Sequence, residues 1–281
     1  MRIITDSAAD FTNEELIQYN IRCVRTKVLF ADTAYTPGID MTNEEFWQRM
    51  FAGENAKTSQ PSPEEFLEEF NQAKADSEEA VYIGISSALS GTYQSANIAC
   101  EMAACNKLHL VDSLNGAAGQ KLLTLYACKL RDEGILTARE IAERLMDLKK
   151  RIRLFASVDT LEYLGRSGRI SKAVASLGNI AQLKPLLEVS REGKIVMCGK
   201  GIGRKRAIEN LAKKIASVKI DSCYPMIPLF SHTKENCLAL IEKLHTHKIS
   251  VNESMLSAIG TAIAPHIGPG AYGVAFVEAQ S

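Results

Sequence analysis

The feature that most constrains the fold is the alternation of short apolar segments with amphipathic segments over residues 1–150. The apolar segments are typical of strands, and the amphipathic segments between them have helical spacing. This alternation predicts a doubly wound, mostly parallel α/β sheet, whose ligands bind beyond the carboxyl ends of the strands. The predicted strands are 2–7, 80–86, 107–113 and the segment 21–30, which is one strand or two short ones. Three of them end in small hydroxyl and acidic residues, so we expect the ligand crevice at that edge.

Helix starts are marked by a hydroxyl residue followed three positions later by glutamate. In this capping box the hydroxyl accepts from a backbone N–H and the glutamate binds the backbone of the first residue in return. A further helix should begin near Ser90 and run to about Ala104, and two more should span 116–133 and 137–150. The capping boxes pair Thr12 with Glu15, Thr42 with Glu45, and Thr137 with Glu140.

The pattern changes after about residue 150. A strand at 151–158 is followed by a short helix, a glycine-rich break and a second helix. A hairpin is predicted around Glu192 and Gly193, and helices alternate with strands from there to the end of the chain. We therefore expect two domains, an N-terminal α/β domain at 1–150 and a C-terminal α+β domain at 151–281. No low-complexity linker separates them, so they should pack together.

Composition excludes several classes of protein. The 33 basic residues balance 33 acidic ones, which argues against a nucleic-acid partner. The seven cysteines form no CxxC pair, so free thiols in a reducing cytoplasm are expected, with no metal and no cofactor. No basic and apolar leader and no run of roughly 18–20 apolar residues is present, so stable membrane insertion is not expected.

The segment "TSQPSP" at 58–63 has two parts. Ser62, Pro63 and Glu65 form a complete helix start, with an N-cap, a proline at the first helical position and a capping glutamate. Thr58, Ser59 and Gln60 remain without such a role. On their own these three residues are compatible with a plain loop or with a ligand contact.

The segment "SSALSGTYQSA" at 86–96 predicts a strand that enters a helix through a Ser/Gly turn. Ser90 is a natural N-cap, and Gly91 would let an anion approach free backbone N–H groups. An ordinary capped helix and a cradle for a carboxylate or phosphate both fit. Since no lysine follows the glycine and no GxSxG motif is present, neither a P-loop nor an esterase nucleophile is indicated.

One histidine and two basic segments complete the candidates. His266 lies in "APHIGPGAYG", which predicts a rigid turn between two strands, from which the side chain could hold a carboxylate. The segment "GRSGRI" spans 165–170. In "GKGIGRKR", at 199–206, three cations fall in the first turn of a predicted helix, where they oppose the helix dipole and favour an anionic or protein partner.

Six of these motifs, "TDSAAD", "KTSQPSP", "SSALSGTYQSA", "VDS", "LEYLGRSGRI" and "HIGPGAYG", occur in the order of the DegV family, which the chain resembles along essentially its whole length. The resemblance implies a two-domain α/β fold, similar to the substrate-binding part of dihydroxyacetone kinases, with the ligand held between the domains. It also implies a carrier without catalysis of its own. Such a carrier binds one long-chain fatty acid and presents it to a separate fatty acid kinase, which makes an acyl phosphate for lipid synthesis.

The resemblance carries roles onto individual residues. Thr58 and Ser90 match the hydroxyls that bind the ligand carboxylate, with help from the Gly91 backbone N–H, and His266 matches a histidine near that carboxylate. Arg169 matches an arginine linked to the kinase partner.

A basic cluster of the family, resembling "RTRKK", is altered here, because Ile202 stands in place of what we take to be its first arginine. Which of Arg204, Lys205 and Arg206 contacts the partner is therefore open. The resemblance is also compatible with a monomer in transient contact with the membrane surface.

Two other functions are weighed against this one. A hydrolase or phosphoryl-transfer enzyme would need polar residues of the crevice to converge, namely Asp6, Ser7, Asp10, Asp112, Ser113 and His266. A nucleic-acid module would use the basic segment 199–206, but the neutral net charge and the 6% aromatic content argue against it.

Overall fold

The computed structural model describes residues 1–176 and 182–280, and they form a mixed α/β fold. Its strands are β1 (Arg2–Asp6), β2 (Ile21–Val24), β3 (Lys27–Phe30), β4 (Thr33–Tyr35), β5 (Ala56–Ser59), β6 (Ala80–Gly84), β7 (Leu108–Asp112), β8 (Ile152–Ser157), β9 (Leu183–Val189), β10 (Ile195–Ile202), β11 (Ile227–Phe230), β12 (Ser257–Ala258) and β13 (Tyr272–Val277). Its helices are α1 (Asn13–Gln18), α2 (Asn43–Phe51), α3 (Pro63–Ala75), α4 (Thr92–Ala103), α5 (Ala117–Glu133), α6 (Ala138–Leu148), α7 (Glu162–Ser167), α8 (Lys172–Ala175), α9 (Arg204–Ala216), α10 (Glu235–Thr246) and α11 (Ala264–Ile267).

The predicted parallel sheet is confirmed, with strand order β2-β1-β6-β7. All three predicted capping boxes form at the starts of α1, α2 and α6, and the Ser62 box with its proline starts α3. Each such cap contributes about 1 kcal/mol to helix stability. The local pattern therefore determines where these helices begin.

The segment 21–30 divides into two strands that belong to different sheets. β2 joins the parallel sheet, whereas β3 pairs with β4 and β5 in a small antiparallel sheet. This small sheet was not predicted, and it places Thr58 on a strand rather than in a loop. The prediction failed because β5 is a polar segment without apolar alternation, and its partner β3 lies far away in sequence.

The second large sheet has the order β10-β9-β8-β13-β11-β12 and is antiparallel except for the pair β11 and β12. The predicted hairpin is confirmed as β9 and β10, which turn at Gly193 with φ of 75°. The closing strand predicted around residues 253–260 is reduced to a short 3-10 turn and the two residues of β12. The second of the two helices predicted after residue 158 begins at Lys172, and its continuation into residues 177–181 lies outside the described residues.

The helix α5 lies between the two large sheets. It contacts β1 and β6 on one side and β8, β11 and β13 on the other. Every residue from Ala117 to Thr124 is buried, and full burial of a leucine such as Leu122 stabilises the fold by about 1.5–3 kcal/mol. One apolar core therefore runs through both halves of the chain, and the division at residue 150 stays a prediction.

Among residues 1–176 and 182–280, no helix is both long enough and apolar enough to cross a bilayer. All seven cysteines are free thiols.

Candidate functional site

A cavity of about 160 Å³ lies between the carboxyl edge of the parallel sheet and the second large sheet. Since one enclosed water needs about 10–15 Å³, the space is large enough for a ligand of many atoms. Most of its wall is aliphatic and comes from both halves of the chain. The apolar wall includes Ile85, Leu154, Ala156, Leu187, Val189, Leu229, Ile259 and Ile263.

One end of this cavity is polar, and we call its five side chains the cavity corner. They are Thr58, Ser90, Thr92, Arg169 and His266. They come from β5, the turn before α4, α4 itself, the loop after α7, and α11. The three hydroxyl residues are neutral hydrogen-bonding groups, and the imidazole of His266 can be neutral. Arg169 is a permanent cation.

Thr58 and His266 are brought together as the resemblance implies. Their Oγ1 and Nε2 atoms are 2.8 Å apart, although 208 positions separate them in sequence. His266 was expected in a turn, but it lies in the short helix α11. That helix ends at Gly268, where φ is 73° and a Cβ would lie 2.3 Å from the Tyr163 ring. The close packing of Tyr163 on this glycine orients the helix and hence the imidazole.

The environment keeps His266 neutral. Burial lowers its pKa to about 4, and the positive charge of Arg169 contributes in the same direction. Its Nδ1 atom is buried and has no hydrogen-bond partner among the described residues. Near pH 7 the imidazole is thus a neutral hydrogen-bonding group rather than a cation.

Ser90 also reaches the cavity, but it is not the N-cap of α4. Gly91 occupies the N-cap position, and no side chain caps the helix. The Ser90 Oγ lies 2.8 Å from the Thr92 Oγ1 and accepts a weak bond from the Thr92 N–H at 3.3 Å. The prediction was one residue early because the turn before α4 closes on Ser86, whose carbonyl accepts from the Ser90 N–H.

Gly91 is exposed and does not line the cavity. The Gln60 side chain lies against it, so a Cβ at Gly91 would come within 2.3 Å of the Gln60 Oε1. The Gln60 amide also donates to the Ser95 Oγ at 3.2 Å. The structure therefore gives Gly91 a packing role, and its contribution to ligand binding stays a prediction.

Arg169 lies at the cavity corner and not on a remote surface. Its guanidinium donates to the backbone carbonyls of Leu89 and Ser167. Within residues 1–176 and 182–280 it forms no salt bridge, so its charge is uncompensated beside His266.

The basic turn at the start of α9 is confirmed as helical and lies outside the cavity. Arg204 pairs with Asp159 at 3.0 Å, and Arg206 pairs with Glu209 at 3.1 Å. Lys205 is exposed and has no ion pair in the described part of the chain, and Ile202 is 58% exposed.

The polar residues of the enzyme alternative do not converge with His266. We call Asp6, Ser7, Asp10, Asp112 and Ser113 the acidic cluster, and none of these five lines the cavity. Their side chains are engaged within the fold, mostly by backbone groups. Asp6 accepts from Ala8 N, Ile85 N and the Tyr82 hydroxyl, and Asp112 accepts from Ser87 N and Leu114 N. In the described structure, no three or more His, Cys, Asp or Glu side chains are placed to hold a metal ion.

Four polar cavity residues were not assigned a role from the sequence, and one of them, Glu188 on β9, pairs with Arg153 at 3.0 Å. Gln60 belongs to the flagged "TSQ" triplet, and Thr92 follows Ser90 and Gly91, so both were within recognisable motifs. Thr26 lies in "RTK" between β2 and β3, where no sequence pattern distinguishes it.

Comparison with known proteins places this chain in a family. The family model described as "Uncharacterised protein, DegV family" matches residues 1–279. A DegV domain-containing protein of Caldanaerobacter subterraneus is 32% identical over 276 residues, which are 98% of each chain.

Two solved structures share the fold at similar lengths. A DegV family protein from Thermus thermophilus, whose structure is described in terms of fatty acid binding, is 30% identical with a TM-score of 0.87 over 99% of this chain and 100% of its own. DegV from Bacillus subtilis, described as a fatty acid binding protein, is 27% identical with a TM-score of 0.81 over 99% of both chains. The chain therefore belongs to the DegV family.

Proposed function

We propose that this protein binds one long-chain fatty acid in the cavity and presents its carboxylate to a fatty acid kinase. The observation that carries the proposal is the form of the cavity, an aliphatic wall that ends in the cavity corner. The solved relatives from Thermus thermophilus and Bacillus subtilis, which are described as fatty acid binding, support the same ligand class.

Thr58 binds the carboxylate through a hydrogen bond that His266 orients. We assign the imidazole proton to Nε2, because a buried N–H without a partner is rarer than an unused lone pair, and Nδ1 has no partner. With this tautomer His266 donates to the Thr58 Oγ1, and the Thr58 hydroxyl proton is free to donate to the ligand. Such charge-assisted hydrogen bonds contribute about 1.5–3 kcal/mol each.

The second hydroxyl donor comes from the pair Ser90 and Thr92. Only one of their two protons is needed for the bond between them at 2.8 Å, so the other is available to the carboxylate. The cation of Arg169 then stabilises the bound anion from the same end of the cavity.

The acyl chain occupies the aliphatic part of the cavity. Each methylene transferred from water contributes about 0.8 kcal/mol, so the chain supplies more binding energy than the head group. The head group instead determines which end of the ligand faces the corner. A carrier needs that orientation because the carboxylate must remain reachable by a partner.

Transfer to the kinase uses cations near the corner and on α9. Arg169 is half-buried beside the carboxylate site, and Lys205 is the cation of the α9 basic turn whose charge is not used within the described residues. We assign the partner contact to Lys205, with Arg169 facing the group that is phosphorylated. The enzyme alternative is not favoured, since the acidic cluster is bound to backbone and His266 contacts a threonine.

Organic extraction of the purified protein followed by mass spectrometry tests the ligand. We expect one long-chain fatty acid per chain, and rebinding of oleate to the delipidated protein should raise its unfolding temperature. A protein that carries no fatty acid and is not stabilised by oleate would contradict the proposal. Phosphorylation of the bound acid by a purified fatty acid kinase tests presentation separately.

A further inference from the structure

Thr26 has an unused hydroxyl in the wall of the cavity. The residue is 8% exposed and lines the cavity. Its backbone N–H donates to the Ser7 Oγ at 2.9 Å, which fixes the main chain at the carboxyl edge of the parallel sheet. Within residues 1–176 and 182–280 its Oγ1 has no hydrogen-bond partner.

The register of the small sheet places this hydroxyl on the face that carries Thr58. Val28 pairs with Thr58, and Lys27 pairs with Ser59. Thr26 immediately precedes β3 and is two positions from Val28, so continuing the alternation of β3 by one residue puts it on the side of Thr58. Both line the cavity, in agreement with this geometry.

Thr26 and Thr58 line the same cavity, and a carboxylate has two oxygens to offer them. The proposed arrangement requires one O–H···O bond of about 2.7–2.8 Å from each hydroxyl to a different carboxylate oxygen.

We propose that Thr26 is a further ligand of the fatty acid carboxylate, donating to the oxygen that does not bind Thr58. The inference rests on the proposed function. The Thr26 hydroxyl carries a proton that no group among the described residues accepts, and a carboxylate supplies an acceptor because both of its oxygens accept hydrogen bonds. A fatty alcohol has a single neutral oxygen, so it lacks the second acceptor oxygen and the negative charge that strengthen the bonds of a carboxylate to the two hydroxyls. Thr26 therefore favours the free acid over the alcohol of the same chain length.

The test compares oleate and oleyl alcohol binding to delipidated wild-type protein and to Thr26→Val, which replaces the hydroxyl with a methyl group of similar size. We expect the variant to bind oleate at least about tenfold more weakly and oleyl alcohol nearly as well as wild type. Thr26→Ser should restore the preference for oleate. The matched control is Thr33→Val, since Thr33 is an exposed residue on β4 of the same sheet and does not line the cavity.

Each outcome decides between the inference and its alternatives. Unchanged oleate affinity in Thr26→Val, or an equal loss for oleate and the alcohol, would overturn the role of Thr26 while leaving the proposed function intact. Failure of the wild-type protein to bind oleate would overturn the proposed function itself. If Thr26→Val does not fold, Thr26→Ala replaces it, with the same expected loss of preference for the acid.

Discussion

The acidic cluster follows strands β1 and β7 of the parallel sheet, whereas the cavity corner is assembled from β5, α4, α11 and the segments before α4 and after α7, and the two groups use their hydrogen-bonding atoms differently. In the acidic cluster, carboxylates and hydroxyls are occupied mostly by backbone groups, and Asp6 also accepts from the Tyr82 hydroxyl. Asp6 alone accepts three bonds and is fully buried. In the cavity corner, hydroxyls contact one another or a neutral histidine, and at least one proton remains for a ligand.

Residues of the acidic cluster therefore stabilise the fold around the cavity, whereas residues of the cavity corner are available to bind a ligand. Both groups are rich in the same small polar residues, so residue type does not distinguish them. The distinction is whether a polar group has unused donors that face open space. Substitutions in the acidic cluster should therefore change stability, whereas those in the cavity corner should change binding.

The largest effect is expected for Asp6→Ala. It would leave the Tyr82 hydroxyl and the Ala8 and Ile85 N–H groups buried without an acceptor, each at a cost of about 1–3 kcal/mol. We expect the free energy of unfolding to fall by about 5 kcal/mol, measured by urea denaturation of the delipidated protein. A variant of normal stability that fails to bind fatty acid would instead assign Asp6 to the ligand-binding site.

A pH-dependent effect is expected for Asp10. Burial raises its pKa to about 7, against the opposing influence of Gly260 N–H and Lys121. Because the folded state binds the proton more tightly than the unfolded state does, stability falls as the pH rises from about 4 to about 7. The shift corresponds to at most about 4 kcal/mol.

Asp10→Asn should remove this dependence while keeping an oxygen for the Gly260 N–H. The free energy of unfolding of the variant minus that of wild type should increase from pH 4 to pH 8. Denaturation of both proteins across that range measures this difference. Parallel curves for the two proteins would show that Asp10 does not titrate there. The opposite slope of His266, whose lowered pKa makes stability rise from about pH 4 to 6.5, is present in both proteins and cancels in the difference.

Thr58→Ala should have a smaller energetic effect, and that effect should fall on the binding of the fatty acid. The variant should bind oleate about tenfold more weakly, equivalent to about 1.4 kcal/mol, because the carboxylate loses one donor. Ser59→Ala is the matched control, since Ser59 is the next residue on β5, is exposed and does not line the cavity. Equal binding by the two variants in a fluorescence competition titration would remove Thr58 from the site.

The smallest effect is expected for Lys205→Ala. The residue is exposed and unpaired in the described structure, so stability and oleate affinity should remain within about 0.5 kcal/mol of wild type. Turnover of the bound acid by the kinase partner should fall several-fold. Lys213→Ala, in the last turn of the same helix, is the control, and equal turnover by both variants would contradict the partner contact.

Local pattern was sufficient for most elements of the first half of the chain. The capping boxes and the buried strands depend on residues within a few positions of each other, and they formed as predicted. The small sheet was missed because β3 and β5 pair although β4 and α2 lie between them in sequence. The N-cap of α4 was predicted at Ser90, one residue too early, because the carbonyl of Ser86 closes the turn before α4.

The sequence by itself determined the alternation of strands and helices, the ends of the capped helices and the chemistry of the candidate groups. The tertiary structure alone decided which of those groups remain free. Thr58 meets His266 across 208 positions, and Thr26 joins the cavity wall where its backbone N–H binds the Ser7 Oγ. The physical reason is that a hydroxyl in a chain can donate to many acceptors, and packing decides which of them is within reach.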